Sequence, residues 1–208
     1  MTTAADFKKQ VGKYLGAEMR KLGFKGTGVD YFQDSKDFLF AVTIGGKAGA
    51  AGVCSVSMAV HPKVINRNKF DGKLLNFKKL AFYRYEFRMS LEEESKFWDF
   101  SDKEEGNIKT INEILDIIKA KALPIFEQFK AGLLDTFTTD DLDTFYDSFD
   151  NKTGVHHIMT SDVNFAWVLA LYFENKNYEK SKAFANYALS KMGNKQWFGG
   201  KDIKRILN

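Results

Sequence analysis

Between a helical opening and a helical second half, this chain carries three stretches in which apolar side chains recur at every second position. In "DFLFAVTI" (37–44), Phe38, Phe40, Val42 and Ile44 fall on one face. In "VCSVSMAV" (53–60), Cys54, Val56, Met58 and Val60 alternate with Ser55 and Ser57. In "YRYEFRM" (83–89), Tyr83, Tyr85, Phe87 and Met89 are expected on one face and Arg84, Glu86 and Arg88 on the other. A period of two is the pleat of a half-buried strand, and a helix cannot satisfy it. Strands that follow one another through short links pair antiparallel, with one face of the sheet covered. "GVDYFQ" (28–33) is expected to add an edge strand, bringing the sheet to about four strands.

The flanks read as helices. Phe7, Val11, Tyr14, Leu15 and Leu22 recur at helical spacing, and Gly23 is the predicted left-handed stop with Phe24 tucked back behind it. From Asn107 onward, Ile108, Ile111, Leu115, Ile118, Ala122, Ile125 and Phe129 step by three or four. Pro124 lacks a backbone donor and crowds the carbonyl four residues back, so a kink or a break is expected there. Thr138 or Thr139 should cap a short helix whose apolar stripe is Leu142, Phe145, Tyr146 and Phe149. "NFAWVLALYF" (164–173) is apolar nearly all round and should be buried on several sides. A further helix over 177–192 follows a short turn at Asn175–Asn177. The predicted class is α+β: an N-terminal helix, an antiparallel sheet, then a helical C-terminal half. Residues 1–135 are expected to form the α+β body, with 136–208 a helical extension packed on it or continuous with it. The 20 phenylalanines supply a large area for burial.

Several chemistries are excluded by spacing. "IGGKAGAAGV" (44–53) is rich in glycine, but a phosphate loop must feed a helix, and here Val53 opens a strand. Lys47 is followed by Ala48 rather than Ser or Thr, and no glycine stands at residue 41, so the Walker pattern fails. The stretch reads as a hairpin connection of roughly eight residues. Cys54 and His61 are seven residues apart on one strand, about 23 Å in extended chain, too far for a nucleophile and its base. The adjacent His156 and His157 cannot converge on one ion, and the aspartates of 140–150 lack the glycine and glutamate of an EF-hand. No metal and no cofactor is expected, and no catalytic constellation stands out, which leans the reading away from an enzyme.

The charge is blocky rather than large. The net value is +4, yet 61–79 holds six cations against Asp71, and 135–150 holds Asp135, Asp140, Asp141, Asp143, Asp147 and Asp150 with no base. That balance makes nucleic-acid binding through 61–79 the weakest option. No apolar run approaches the roughly 20 residues of a membrane span. A single cysteine and an N-terminus without a signal pattern lead to the expectation of a cytoplasmic protein.

"LGFKGTG" (22–28), "FWDFSDKEE" (97–105) and "ALPIFEQF" (122–129) appear in this order. In Gly23–Phe24, Trp98–Asp99 and Leu123–Pro124 the chain resembles the bacterial domain of unknown function numbered 4304, over about residues 5–135. That resemblance implies an α+β fold and no assigned activity. The C-terminal helix pair resembles one tetratricopeptide hairpin through Phe165, Val168, Tyr172, Ser181, Ala185 and Ala188. It departs from that repeat at Leu169 and Gly193, and one repeat cannot form a solenoid.

The leading expectation is a bacterial, non-enzymatic module that binds a protein partner, with toxin-neutralising immunity as one version by analogy. Asp140, Asp143 and Asp147, or Lys69 and Lys73, are the expected contacts. The alternative is a small-ligand binder or enzyme that uses Arg84, Glu86 and Arg88 on the outward sheet face and therefore needs a pocket beside them.

Overall fold

The computed structural model describes residues 4–46, 52–68, 72–91, 98–100, 103–155, 158–192 and 199–208. Helix α1 (Ala4–Lys21) buries Phe7, Val11, Leu15 and Met19 along one stripe. It ends as its sequence requires. Gly23 takes φ +83°, its N–H donates to Arg20 O, and the Phe24 N–H reaches back to Met19 O. This is the six-to-one and five-to-two pattern of a Schellman stop, and Phe24 is driven into the core behind it.

The sheet is an antiparallel meander in the order β1 (Lys25–Thr27), β2 (Asp30–Asp34), β3 (Phe38–Gly46), β4 (Val53–Pro62), β5 (Phe87–Ser90). A short β6 (Trp98–Asp99) shares the outer edge of β4, opposite Val53 and Cys54. The segment 28–33 is thus not an edge strand. Its residues enter β2, which lies between β1 and β3; the two-residue turn before it has Gly28 at positive φ, and Gly26, inside β1 opposite Tyr31, is at positive φ as well. The long pair β3–β4 runs from Phe38↔Pro62 to Gly46↔Cys54, so the glycine-rich stretch closes a hairpin as expected, with Gly45 and Gly46 inside the ladder. Residues 47–51 of that stretch lie outside the described residues.

Phe38, Phe40, Val42, Ile44, Cys54, Val56, Met58 and Val60 all face the main core, as their alternation demands. The opposite face is not left to solvent. Leu39, Ala41 and Ala59 carry a second apolar cluster there, roofed by Phe77, Leu80, Phe82 and Tyr85 from the segment before β5. The sheet is therefore covered on both sides.

Helices α2 (Glu104–Ile117) and α3 (Leu123–Lys130) run on from one another through a π turn at Ile118–Ala122. There the Leu123 N–H donates to Ile118 O, one residue further back than in an α-helix. The wider turn comes directly before Pro124, whose missing donor and bulky ring an unbroken α ladder would not accommodate, so the helix continues instead of breaking. Short α4 (Asp140–Asp143) and α5 (Phe145–Thr153) follow. The cap of α4 is the reverse of the expected one: the Asp141 carboxylate accepts from Thr138 N and Oγ1. Leu142, Phe145 and Phe149 are buried, but Tyr146 is exposed.

Helix α6 (Asp162–Phe173) is buried from Asn164 to Phe173 on every side. Ser161 caps it, accepting from Asn164 N. Helix α7 (Tyr178–Met192) folds back antiparallel, with Ser181 Oγ donating to Ala170 O at 2.8 Å and Phe173 stacked on Phe184. A third closing helix, α8 (Gly199–Leu207), was not anticipated. Ile203 and Ile206, with the half-buried Leu207, drive it, and it packs on α6 and α7 with Asp202 accepting from Trp167 Nε1. One cluster of buried apolar side chains extends from Phe7 to Ile206.

The β1–β2 turn yields a paired prediction. A Cβ at Gly26 would lie 2.1 Å from the Asp30 carbonyl oxygen, whereas one at Gly28 meets nothing within 4 Å. Gly28→Ala should cost only the left-handed penalty of about 1–2 kcal/mol. Gly26→Ala adds a backbone clash and should lower the urea midpoint further, as followed by far-ultraviolet circular dichroism. Equal midpoints for the two variants would contradict this account of the turn.

Candidate functional site

Strand β5 is shorter than its sequence pattern. Residues Phe82–Arg84 form a single 3-10 turn, closed by Tyr85 N–H to Phe82 O, and pairing with β4 begins only at Phe87↔Val60. The turn and the bend at Glu86 reset the parity of the side chains. Phe87 and Met89 point into the main core, Tyr85 goes to the opposite face among Leu39, Ala41 and Ala59, and Tyr83 stands 66% exposed. The expectation that Tyr83, Tyr85, Phe87 and Met89 share one face is thereby corrected. So is the expectation that Arg84, Glu86 and Arg88 form an outward row, because Glu86 is only 4% exposed.

These three residues nevertheless meet at one place. Together with Asn68, Leu75, Tyr83, Tyr85 and Met159 they line a cleft of about 210 Å³. One wall is a small hairpin in the basic segment, where Arg67 bridges Leu74, the Leu75 N–H donates to Asn66 O, and Asn68 N–H donates to Lys73 O. Lys73 is exposed on that hairpin, and Lys69 lies outside the described residues. The second wall comes from far along the chain. Ile158 bridges Met89, and the Met159 N–H donates to Arg88 O at 2.7 Å, so residues 158–159 extend the sheet beyond β5. Met159 itself remains 55% exposed.

The charges of the cleft differ in how they are held. Glu86 Oε2 accepts from Asn164 Nδ2 at 3.2 Å, and the same amide also donates to Thr160 Oγ1 at 2.9 Å. The carboxylate is thus tied to the first turn of α6. Arg84 lies with its guanidinium carbon 5.7 Å from the centre of the Tyr83 ring, within cation–π range. Arg88 is half-buried, and its Nε is shielded from water without a hydrogen-bond acceptor. Burial, then the charge of Asp34, pushes the Tyr85 phenol up to about 12.

Two other hollows are larger, at about 350 Å³ each, and more open. In the one beside α8 the charged groups are already engaged, Arg205 by both oxygens of Glu174 and Asp202 by Trp167. The one on the outward face of β2 and β3 is lined mainly by Tyr31, Phe32, Val42, Leu80 and Phe82. The cleft at β5 differs in that its Arg84 and Arg88 have no ion-pair partner among the described residues.

Other sequence candidates sit elsewhere. Asp140, Asp143 and Asp147 are exposed on α4 and α5, away from the cleft lining, and Asp143 lies 3.4 Å from Lys191 Nζ. Cys54 is buried in the main core, while His61 is on the opposite face with Nε2 2.8 Å from Ile65 O. His156 and His157 lie outside the described residues. Among the described residues no three His, Cys, Asp or Glu side chains gather as a metal site requires, and no helix is long and apolar enough to cross a membrane. The sequence reading missed Asn68, Leu75, Met159 and Asn164. Asn164 carried a signal, as the one polar side chain inside an apolar helix of 164–173.

No family model, curated protein or solved structure matches this chain.

Two outcomes follow from this geometry. Asn164→Ala removes a donor from a buried carboxylate and should destabilise the fold by about 1–3 kcal/mol in urea titration. Tyr31 is also raised to about 12, chiefly by burial. An unfolded tyrosine titrates near 10, so between about 10 and 12 the folded state holds more protons, and stability falls as pH rises through that window. Tyr85→Phe should make the decline of the urea midpoint with alkaline pH shallower, and an unchanged slope would remove Tyr85 from the cause.

Proposed function

We propose that this protein is a non-enzymatic binding module that docks a partner protein over the cleft between Tyr83 and Met159. The observation that carries this reading is the coincidence of a small cleft with an exposed apolar rim. Isolated exposed apolar residues are ordinary. Here three gather: Tyr83 and Met159 line the cleft, and the Tyr146 hydroxyl donates to Thr160 O next to Met159. Tyrosine, methionine and arginine are the residue types that interface cores favour.

The volume supports the same choice. About 210 Å³ is below the roughly 300–1,000 Å³ of sites that enclose a whole cofactor or drug-sized ligand. It suits one anchoring side chain, with the rim excluding water around it, which is the arrangement of a binding hot spot. The exposed charge at this surface is basic. Arg84 lines the cleft and Lys73 is exposed on the hairpin that walls it, a basic side that steers and orients an approaching partner.

The test is capture from the source organism's lysate by the tagged wild type and by a Tyr83→Asp/Met159→Asp double variant. Both positions are exposed, so folding is retained and is checked by circular dichroism. A partner held in near-stoichiometric amount by the wild type should be recovered at least about tenfold less by the variant, the effect of losing a buried hot spot. Undiminished recovery would sink the proposal. Loss on Asp140→Lys/Asp147→Lys instead would move the contact to α4 and α5.

A further inference from the structure

We propose that the side chain anchored in this cleft is acidic: a glutamate or aspartate of the partner, flanked by an apolar residue. The inference rests on the docking reading above and names what the cleft selects. Three charged residues line the cleft, and their states differ. Glu86 faces away from solvent and is engaged by Asn164, so it offers little to an incoming cation. Arg84 and Arg88 have no carboxylate within ion-pair distance among the described residues; Arg84 only overlies the Tyr83 ring.

Arg88 is the stronger selector. It is half-buried, lines the cleft and has no carboxylate partner among the described residues. A half-buried cation without a counter-charge gains from one, and a carboxylate arriving in the cleft supplies it to the guanidinium. The resulting hydrogen bond is charge-assisted, and a guanidinium is shaped to receive both oxygens of a carboxylate. An amide supplies only a neutral acceptor, and an ammonium supplies no acceptor at all. The apolar part of the lining, Leu75, Met159 and the Tyr83 ring, then accepts the neighbouring aliphatic or aromatic side chain. A bare anion would leave that part of the cleft uncovered, which is why the occupant is assigned as a segment of protein and not a free phosphate or acetate.

The experiment uses the full chain, labelled with nitrogen-15, and follows the backbone signals together with the arginine Nε–H signals. The probes are blocked tripeptides of leucine–glutamate–leucine, the same with glutamine or lysine at the centre, and sodium acetate and inorganic phosphate at matched ionic strength. The expected result is saturable movement of the Arg88 Nε–H, Tyr83 and Met159 signals with the glutamate peptide. Affinity for the glutamine peptide should be lower by about tenfold, the loss that follows from exchanging a charge-assisted hydrogen bond for a neutral one. Arg88→Gln should abolish that preference. Because Arg88 is half-buried, Arg84→Gln serves as a second variant at an exposed position and should weaken the glutamate peptide without disturbing the spectrum.

Equal binding of the glutamine or lysine peptide overturns the acidic assignment. So does a response to acetate or phosphate that matches the peptide at Arg88 and leaves Tyr83 and Met159 unmoved. Absence of any response at the cleft to the glutamate peptide also overturns it. In each case the docking reading is judged separately, by whether the Tyr83→Asp/Met159→Asp variant still captures its partner.

Discussion

A continuous network of phenylalanine rings joins the sheet to the helices, and the cleft depends on it. Phe24 contacts Phe126, which contacts Phe40 at 4.6 Å between ring centres. Phe40 leads to Phe38, Phe38 to Phe129, and Phe129 to Phe87. Phe87 meets Phe165 at 5.2 Å, and Phe165 meets Phe137, Phe145 and Phe149. Strands β3 and β5, helices α3, α5 and α6, and the loops between them are thereby held by rings in offset and edge-on contact. Each such pair adds about 0.5–1.5 kcal/mol beyond the area it buries. Rings of this size pack in few ways, so the network sets the separation and orientation of the layers as well as their stability.

The cleft inherits its shape from this network. Phe87 and Phe165 hold the start of β5 against α6, which brings Glu86 beside Asn164. The cap at Ser161 fixes the start of α6, and Thr160 and Met159 precede it in sequence, so the second wall is positioned by the same helix. On the other side of the sheet, Tyr85 is held by Phe82 and by the ring of His61 at 6.0 Å. The chain between Tyr85 and Phe87 has to cross from one face to the other. That crossing bends the backbone at Glu86 and opens the hollow in which Arg84 and Arg88 stand on either side of it.

Much of the architecture is legible in local pattern. Gly23 followed by Phe24 specified how α1 stops, because a left-handed residue and an apolar one after it are the two parts of a Schellman motif. Alternation through 37–44 and 53–60 assigned inward and outward faces correctly, because both strands are long, extended and paired along their whole length. The nearly all-apolar 164–173 is, as its pattern implied, a helix surrounded by protein. Alternation failed at 83–89 for a definable reason. It reports the face only while the chain stays extended, and the 3-10 turn at Phe82–Arg84 and the bend at Glu86 break that run before Phe87. Strands β1 and β6, at three and two residues, carry too little pattern to be seen and exist because β2 and β4 offer edges to pair with.

The residues alone thus determined an α+β chain with an antiparallel sheet, the inward set of β3 and β4, the stop of α1 and the burial of α6, since each follows from contacts within a few positions along the backbone. They also marked Arg84, Glu86 and Arg88 as the polar half of an alternating stretch, expected on the outward face of the sheet. Only the folded chain decided that Glu86 is shielded and tied to Asn164, that Arg88 Nε lacks an acceptor, and that Met159 closes the cleft. Those facts depend on Met159 and Asn164 arriving beside β5 from a distant part of the sequence. No periodicity encodes such a meeting, because it is fixed by the packing of rings between layers and not by the preference of any one segment.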